Sequence, residues 1–326
     1  MSRLLYMLLL AAVFSLWSCS SSSGPSGSGR SGMGEGNSRP ALPGLVFAVI
    51  DNPTEVQRLD VGNWSGEIIA ASAIPPAEPV ISFDAQRSAY TINDSTIRVE
   101  NLSDGRTNDY ISPYKIVDRL TFNAAGTLVA FTARTDSTSR IGLLDIVNSD
   151  FSIIAGDGNK NSRQPLFSTQ GNQLVWTQDD GLFSKSLSSG NEFQISPIEL
   201  VVHSFSPTGK YISTSGGVYD AINPAFFPDL PSGPLYFLVD GDVLSSNASG
   251  VRRIDFSGMS NRGLTSLASA ESALAVSPDG RYFCWSELGK LSFYDLMLDE
   301  TITDTSLTLA AGSSITAIYW RLKSTN

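Results

Sequence analysis

From Leu45 onward, short apolar runs alternate with tight polar turns, and the alternation is periodic. Val276-Ser277-Pro278-Asp279-Gly280-Arg281-Tyr282-Phe283-Cys284-Trp285 displays the unit: an apolar strand end, a polar turn and a second apolar strand. Asp279-Gly280 can take the left-handed conformations that a tight hairpin needs, and Pro278 presets the turn. Phe122 to Phe131, Phe167 to Trp176 and Phe205 to Thr214 repeat the unit, and Phe83 to Tyr90 is a shorter, glycine-free relative. The turn glycines Gly126, Gly171, Gly209 and Gly280 are spaced 45, 38 and 71 residues apart.

A second frame follows each turn: an apolar start, then Asp, Asn or Ser, then an apolar residue. It occurs at Val56 to Val61, Ile97 to Leu102, Ile141 to Ile146, Leu182 to Leu187 and Leu291 to Leu296, with a weaker copy at Val243 to Ala248. Together the two frames describe a four-stranded antiparallel meander. The strand ending at the Phe is innermost, the strand after the Gly is second, the Asp/Asn-ended strand is third, and a short polar strand is outermost. One such sheet cannot bury both faces, so the units must stack, and radial stacking gives a β-propeller with only short open edges. The expectation is an all-β propeller of four-stranded blades. Six third-strand frames favour six blades, with the 71-residue gap holding one blade and an insertion from Gly216 to Pro234. Seven is the alternative, if Phe226 to Gly233 is a distorted turn copy; the 22 residues between Phe205 and Phe227 are too few for a full blade, which favours six. Ile315 to Trp320 reads as an innermost strand without the rest of its unit, and Leu45 to Val61 as a second and third strand with no first. The C-terminal strand is therefore expected to complete the N-terminal blade.

The first 44 residues differ in character. Arg3 precedes an apolar run from Leu4 to Leu16, the length of a signal-peptide core and too short to span a membrane. Leu16-Trp17-Ser18-Cys19 resembles a bacterial lipobox, which implies cleavage before Cys19 and lipid attachment to it. Ser20 after the Cys implies outer-membrane sorting in a Gram-negative source. Residues 1–18 then form a lipoprotein signal peptide, and 19–44 a lipidated Cys with a Ser/Gly-rich tether whose composition cannot bury enough surface to order itself. As a flexible coil the tether reaches about 25–30 Å. Residues 45–326 form the propeller. At its turns this region resembles the repeats of the TolB family of periplasmic propellers, most closely at Ser277-Pro278-Asp279-Gly280 and next at Ser206-Pro207-Thr208-Gly209. The resemblance covers residues 45–321 and implies a TolB-like propeller in the cell envelope. That family carries an α/β domain before its propeller and no lipid; a lipid anchor plus a propeller is the plan of the assembly lipoprotein BamB, whose repeats differ from these.

Candidate chemistry is sparse. The formal net charge is −10 and Lys and Arg form no cluster, which argues against a nucleic-acid partner. His203 is the single histidine, so a multi-histidine metal site is excluded, and on a predicted inner strand it reads as a packed or channel-lining side chain. Cys284 reads as a small buried hydrophobe unpaired with Cys19. Beyond residue 45 there is no Gly-x-Ser-x-Gly elbow, phosphate loop or dinucleotide fingerprint. Asp157-Gly158-Asn159-Lys160-Asn161 begins like a calcium loop, but Ser162 replaces the required Gly and Ser168 the bidentate Glu, so a polar turn is expected. Asp240-Gly241-Asp242 is a hairpin turn. No cofactor and no metal are expected. The best candidate surface is the irregular segment Gly216 to Pro231, with Tyr219, Phe226 and Phe227 as partner-binding anchors. The reading is a monomeric, non-enzymatic envelope lipoprotein, tethered to the membrane, that binds a protein or peptide. The alternatives are a hydrolase or lyase with Asp and Glu clustered at one mouth of the axial channel, and a glycan or small-molecule sensor.

Overall fold

A computed structural model describes residues 39–51, 55–71, 78–135, 137–156, 158–247, 250–256, 260–265, 273–287, 290–306 and 313–323. Cys19, the signal peptide and residues 19–38 of the tether lie outside the described residues.

The strands form seven four-stranded antiparallel sheets, one blade each. The innermost strands of blades 1 to 7 are Ile315–Arg321, Val80–Ile81, Lys115–Phe122, Ser162–Phe167, Val202–Phe205, Leu235–Phe237 and Leu274–Val276. Blade 1 closes the ring as expected: Ile315–Arg321 pairs with Leu45–Ile50, with Leu45 opposite Arg321 and Ile50 opposite Ile315. The Trp320 indole N–H donates to the Pro43 carbonyl at 2.7 Å, and the Asp51 N–H to the Ser314 carbonyl at 3.0 Å. Arg39 to Gly44, expected in the tether, pack here too. Leu42 is buried, its N–H donates to the Val61 carbonyl, and the Pro40 carbonyl accepts from Trp64.

Blade order follows from burial. Second strands are apolar on both faces because each is sandwiched between two neighbouring blades. In Leu45–Ile50 all six residues are buried. Val46, Ala48 and Ile50 pack with Ala275, Cys284 and Phe293 of blade 7, whereas Leu45, Phe47 and Val49 pack with Ile81, Ala85 and Tyr90 of blade 2. The period-2 alternation of a strand thus serves two interfaces at once. Outermost strands such as Thr107–Ile111 are largely exposed and polar.

The preference for six blades is corrected to seven. The 71-residue interval contains most of a compressed blade 5, the whole of blade 6 and the first strand of blade 7: 33 residues separate the first residues of the innermost strands of blades 5 and 6, Val202 and Leu235, against 47 between Lys115 and Ser162. Blade 5 is short because its strands hold four, four, four and two residues. The third strand of blade 5, Gly217–Asp220, followed by Ala221, is a shortened form of the third-strand frame, whereas that of blade 6, Gly250–Ile254, carries a full copy, Val251 to Phe256, that the sequence reading passed over. Val243–Asn247, the weak copy of that frame, is instead the second strand of blade 6. Asp240-Gly241 supplies that blade's inner turn, with the Leu238 N–H donating to the Asp242 carbonyl at 2.7 Å. Phe226–Phe227 is no turn but the outermost strand of blade 5.

The inner turns of blades 2, 3, 4, 5 and 7 share one backbone hydrogen-bonded frame. In blade 7 the Ser277 hydroxyl donates to Asp279 at 2.5 Å and accepts from the Tyr282 N–H at 2.8 Å, while the Gly280 N–H donates to the Ser277 carbonyl. Blade 2 repeats it at Ser82 and Asp84, and Ala85 takes the glycine's place at φ +57°. Phe83 therefore corresponds to Pro278, two residues away from the frame read from the sequence.

Candidate binding surface at the channel mouth

All seven innermost strands run the same way along the axis, so their inner turns gather at one mouth of the central channel. The turns between third and fourth strands lie on the same face, tied to the inner turns by bonds such as Leu102 N–H to Gln86 carbonyl, Ile146 to Thr127 and Leu296 to Arg281. At this mouth a cavity of 320 Å³ is walled by residues from six blades: Phe83, Thr169, Phe205 and Pro207, Phe237 and Val239, Val276 to Pro278, and Trp320 to Leu322. A cavity touching six of seven blades lies on the axis. Its walls are apolar because the last residue of each inner strand must pack against a neighbouring blade, and Phe205, Phe237 and Trp320 present a remaining edge to the opening.

Arg321 is the one charged residue in that wall. Its guanidinium lies 4.9 Å from the Phe83 ring centroid and 5.2 Å from that of Tyr319. Long hydrogen bonds run to the carbonyls of Trp320 (3.3 Å) and Ile81 (3.5 Å), and its buried Nε has no partner. Burial lowers the Arg321 pKa to about 10, with Tyr319 pulling the other way.

Towards the starts of the inner strands a second cavity, of 460 Å³, is lined by Glu78, Val80, Asp118, Arg119, Leu120, Thr316, Ala317 and Tyr319. Arg119 spans the channel from blade 3 to blade 5, donating to the Val202 carbonyl at 2.8 Å. His203, next in that strand, is half-buried, and burial first, then the Arg119 charge, lower its pKa. Burial also raises the Tyr319 pKa, with Arg119 and Arg321 pulling it down and Glu78 up. Two carboxylates facing an arginine and a tyrosine are not the acid cluster that the hydrolase or lyase reading requires. Among the described residues no group of three His, Cys, Asp or Glu side chains could hold a metal ion. Asp157 lies outside the described residues; Asn161 is occupied, accepting from the Ser139 N–H and donating to Asp179. Cys284 is fully buried, and burial raises its thiol pKa well above the usual range.

The segment Gly216 to Pro231 is not an irregular loop, since it supplies the two outer strands of blade 5. Its three aromatic candidates sit at that blade's outer edge, away from the channel. Tyr219 is buried opposite Phe226, their ring centroids 5.1 Å apart. Phe227 packs edge-on against Tyr211 at 5.4 Å and beside Phe256 at 5.1 Å, bridging blades 5 and 6. Phe226 alone is well exposed, at 49%. The sequence reading passed over Phe83, Trp320, Arg119 and Arg321. A charged residue inside or at the end of an apolar inner strand was the available signal, because only the channel can solvate it there.

No family model and no curated protein matches the chain. Among solved structures it is similar to TolB from Acinetobacter baumannii, at 16% identity over 79% of this chain and 62% of that one, with a TM-score of 0.48. It is also similar to the nidogen/laminin complex, at 11% identity over 85% of this chain and 98% of that one, again with a TM-score of 0.48. The chain spans less than two thirds of the TolB structure's length. The seven-bladed propeller architecture rests on this chain's own strand pairing.

Proposed function

We propose that the chain is a non-enzymatic, lipid-anchored envelope protein whose propeller binds a protein or peptide partner on the face where the inner turns converge. The apolar mouth carries this reading. Of the eleven large apolar side chains exposed among the described residues, six lie on that one face: Val147, Ile222, Val239, Met297, Leu298 and Leu322. Val239 and Leu322 rim the cavity itself. Exposed apolar side chains on the face that holds an apolar concave site mark an interaction surface. The lipobox-like Leu16 to Cys19 supports the anchor, and Ser20 supports outer-membrane placement, facing periplasm or cell surface, in a Gram-negative source.

Crosslinking capture from membranes tests the surface. Val239→Asp with Leu322→Asp should abolish capture of an envelope partner, whereas Phe226→Ala with Phe227→Ala should leave it. The opposite pattern moves the site to the edge of blade 5, and capture indifferent to both pairs rejects both surfaces. Fatty-acid labelling that persists in Cys19→Ala rejects the anchor.

A further inference from the structure

We propose that the channel mouth recognises the free C-terminal carboxylate of a partner polypeptide, with Arg321 as its counter-charge and the aromatic walls receiving its last apolar side chains. This rests on the reading of the mouth as a partner-binding surface.

Arg321 forms no ion pair among the described residues, its Nε is buried without a partner, and its two carbonyl contacts are long. A guanidinium has five N–H donors, most of which are left unused here. Phe83 and Tyr319 flank it and supply ring contacts but no negative charge. A buried charge without a counter-charge is unfavourable, and a carboxylate matches the planar fork of a guanidinium in two-pronged fashion. The rest of the wall selects what the carboxylate is attached to. Its two hydroxyl side chains are already committed, Thr169 donating to the carbonyls of Ser206 and Pro207 and Ser277 to Asp279. A sugar or nucleotide would therefore leave most of its polar groups unpaired, whereas one anionic group on an apolar stem fits. At 320 Å³ the cavity lies at the small end of ligand sites, suited to the tip of a chain rather than a folded surface. It also opens on the face that carries the other exposed apolar side chains.

The test uses the full chain in detergent and a pool of synthetic octapeptides, random except for two apolar C-terminal residues, prepared as free acids and as C-terminal amides. The free-acid pool should be retained at least tenfold better than the amide pool, and Arg321→Met, checked for an unchanged thermal melt, should erase that difference. Equal retention of acid and amide, which would point to an internal Asp or Glu side chain, overturns the proposal, as does retention of neither pool by the wild-type chain. Dodecanoate is the third arm: its Arg321-dependent binding without peptide retention would assign the site to a lipid and also overturn the proposal. Partner capture that is lost on Val239→Asp with Leu322→Asp but untouched by Arg321→Met would leave the surface standing and remove the carboxylate from it.

Discussion

Gly171 and Gly190 belong to the same blade, one in its inner turn and the other in its outer turn, with φ of +70° and +74°. An alanine at either position meets the same backbone penalty, about 1–2 kcal/mol for a left-handed residue, reduced by about 0.4–1 kcal/mol because alanine restricts the unfolded chain. Surroundings separate them. At Gly190 an added Cβ would find no atom within 4 Å, whereas at Gly171 it would sit 2.6 Å from the backbone nitrogen of Ala124 and 2.8 Å from its Cβ, in the neighbouring blade. Backbone cannot rotate aside as a side chain can, so overpacking adds about 1–3 kcal/mol. Gly190→Ala should therefore destabilise by about 1 kcal/mol and Gly171→Ala by about 2–4 kcal/mol. Urea unfolding followed by tryptophan fluorescence reads both, with an unchanged m value showing that stability, and not the surface exposed on unfolding, has changed. Ala124→Gly should restore only part of the loss, since the nearest obstacle is main chain. If the two alanine variants lose the same stability, the contact between neighbouring inner turns does not hold the blades in place.

Two further outcomes are expected. Deleting residues 315–326 leaves Leu45–Ile50 without its inner partner and removes Ile318 and Trp320 from the core shared by blades 7 and 1, so cooperative unfolding should be lost; a truncated chain that melts like the full one contradicts ring closure. For Asp295, burial pushes the pKa up, but the bonds from Arg281 at 2.6 Å and from the Met297 and Leu298 N–H groups outweigh it and hold the carboxyl below its usual value. A depressed carboxyl pKa stabilises the fold fully above the unfolded value of about 3.9 and is lost as pH falls through the folded value. Asp295→Asn should be less stable than wild type at pH 7, and the gap should close as pH falls through the folded-state pKa, below the usual carboxylate range; a gap that stays constant on acidification refutes the linkage.

The propeller was readable because its unit is written in two independent frames with local physical causes. Ser277, Asp279 and Gly280 are dictated by one hydrogen-bonded turn, and the two-sided apolar runs by sandwiching between blades. The count failed where those causes relax. Asp240-Gly241 makes the inner turn of blade 6 one residue shorter, so it does not match the frame by spelling. In blade 5, strands of four residues and an outer strand of two removed the spacing on which the count relied. Tyr219, Phe226 and Phe227 looked like a loop for that reason, although pairing of Tyr219 with Phe226 makes them sheet.

The channel was harder to read, because a propeller assembles its axis from single residues on seven distant strands. Phe83, Phe205, Phe237 and Trp320 are separated by up to 237 positions and share no motif that marks them as one wall. Summed charge pointed away from the site as well: a chain of formal charge −10 places Arg119 and Arg321 in the channel wall, where Glu78 and Asp118 line the far cavity and no acid lines the apolar mouth. Exposed carboxylates are screened by solvent, whereas a partly buried guanidinium flanked by two rings in a cavity wall is screened less. Local charge at the mouth, and not the total, therefore sets what can enter it. Arg321 is legible in sequence only after Ile315–Arg321 is recognised as an inner strand, since the same residue at the end of any outer strand would merely face water.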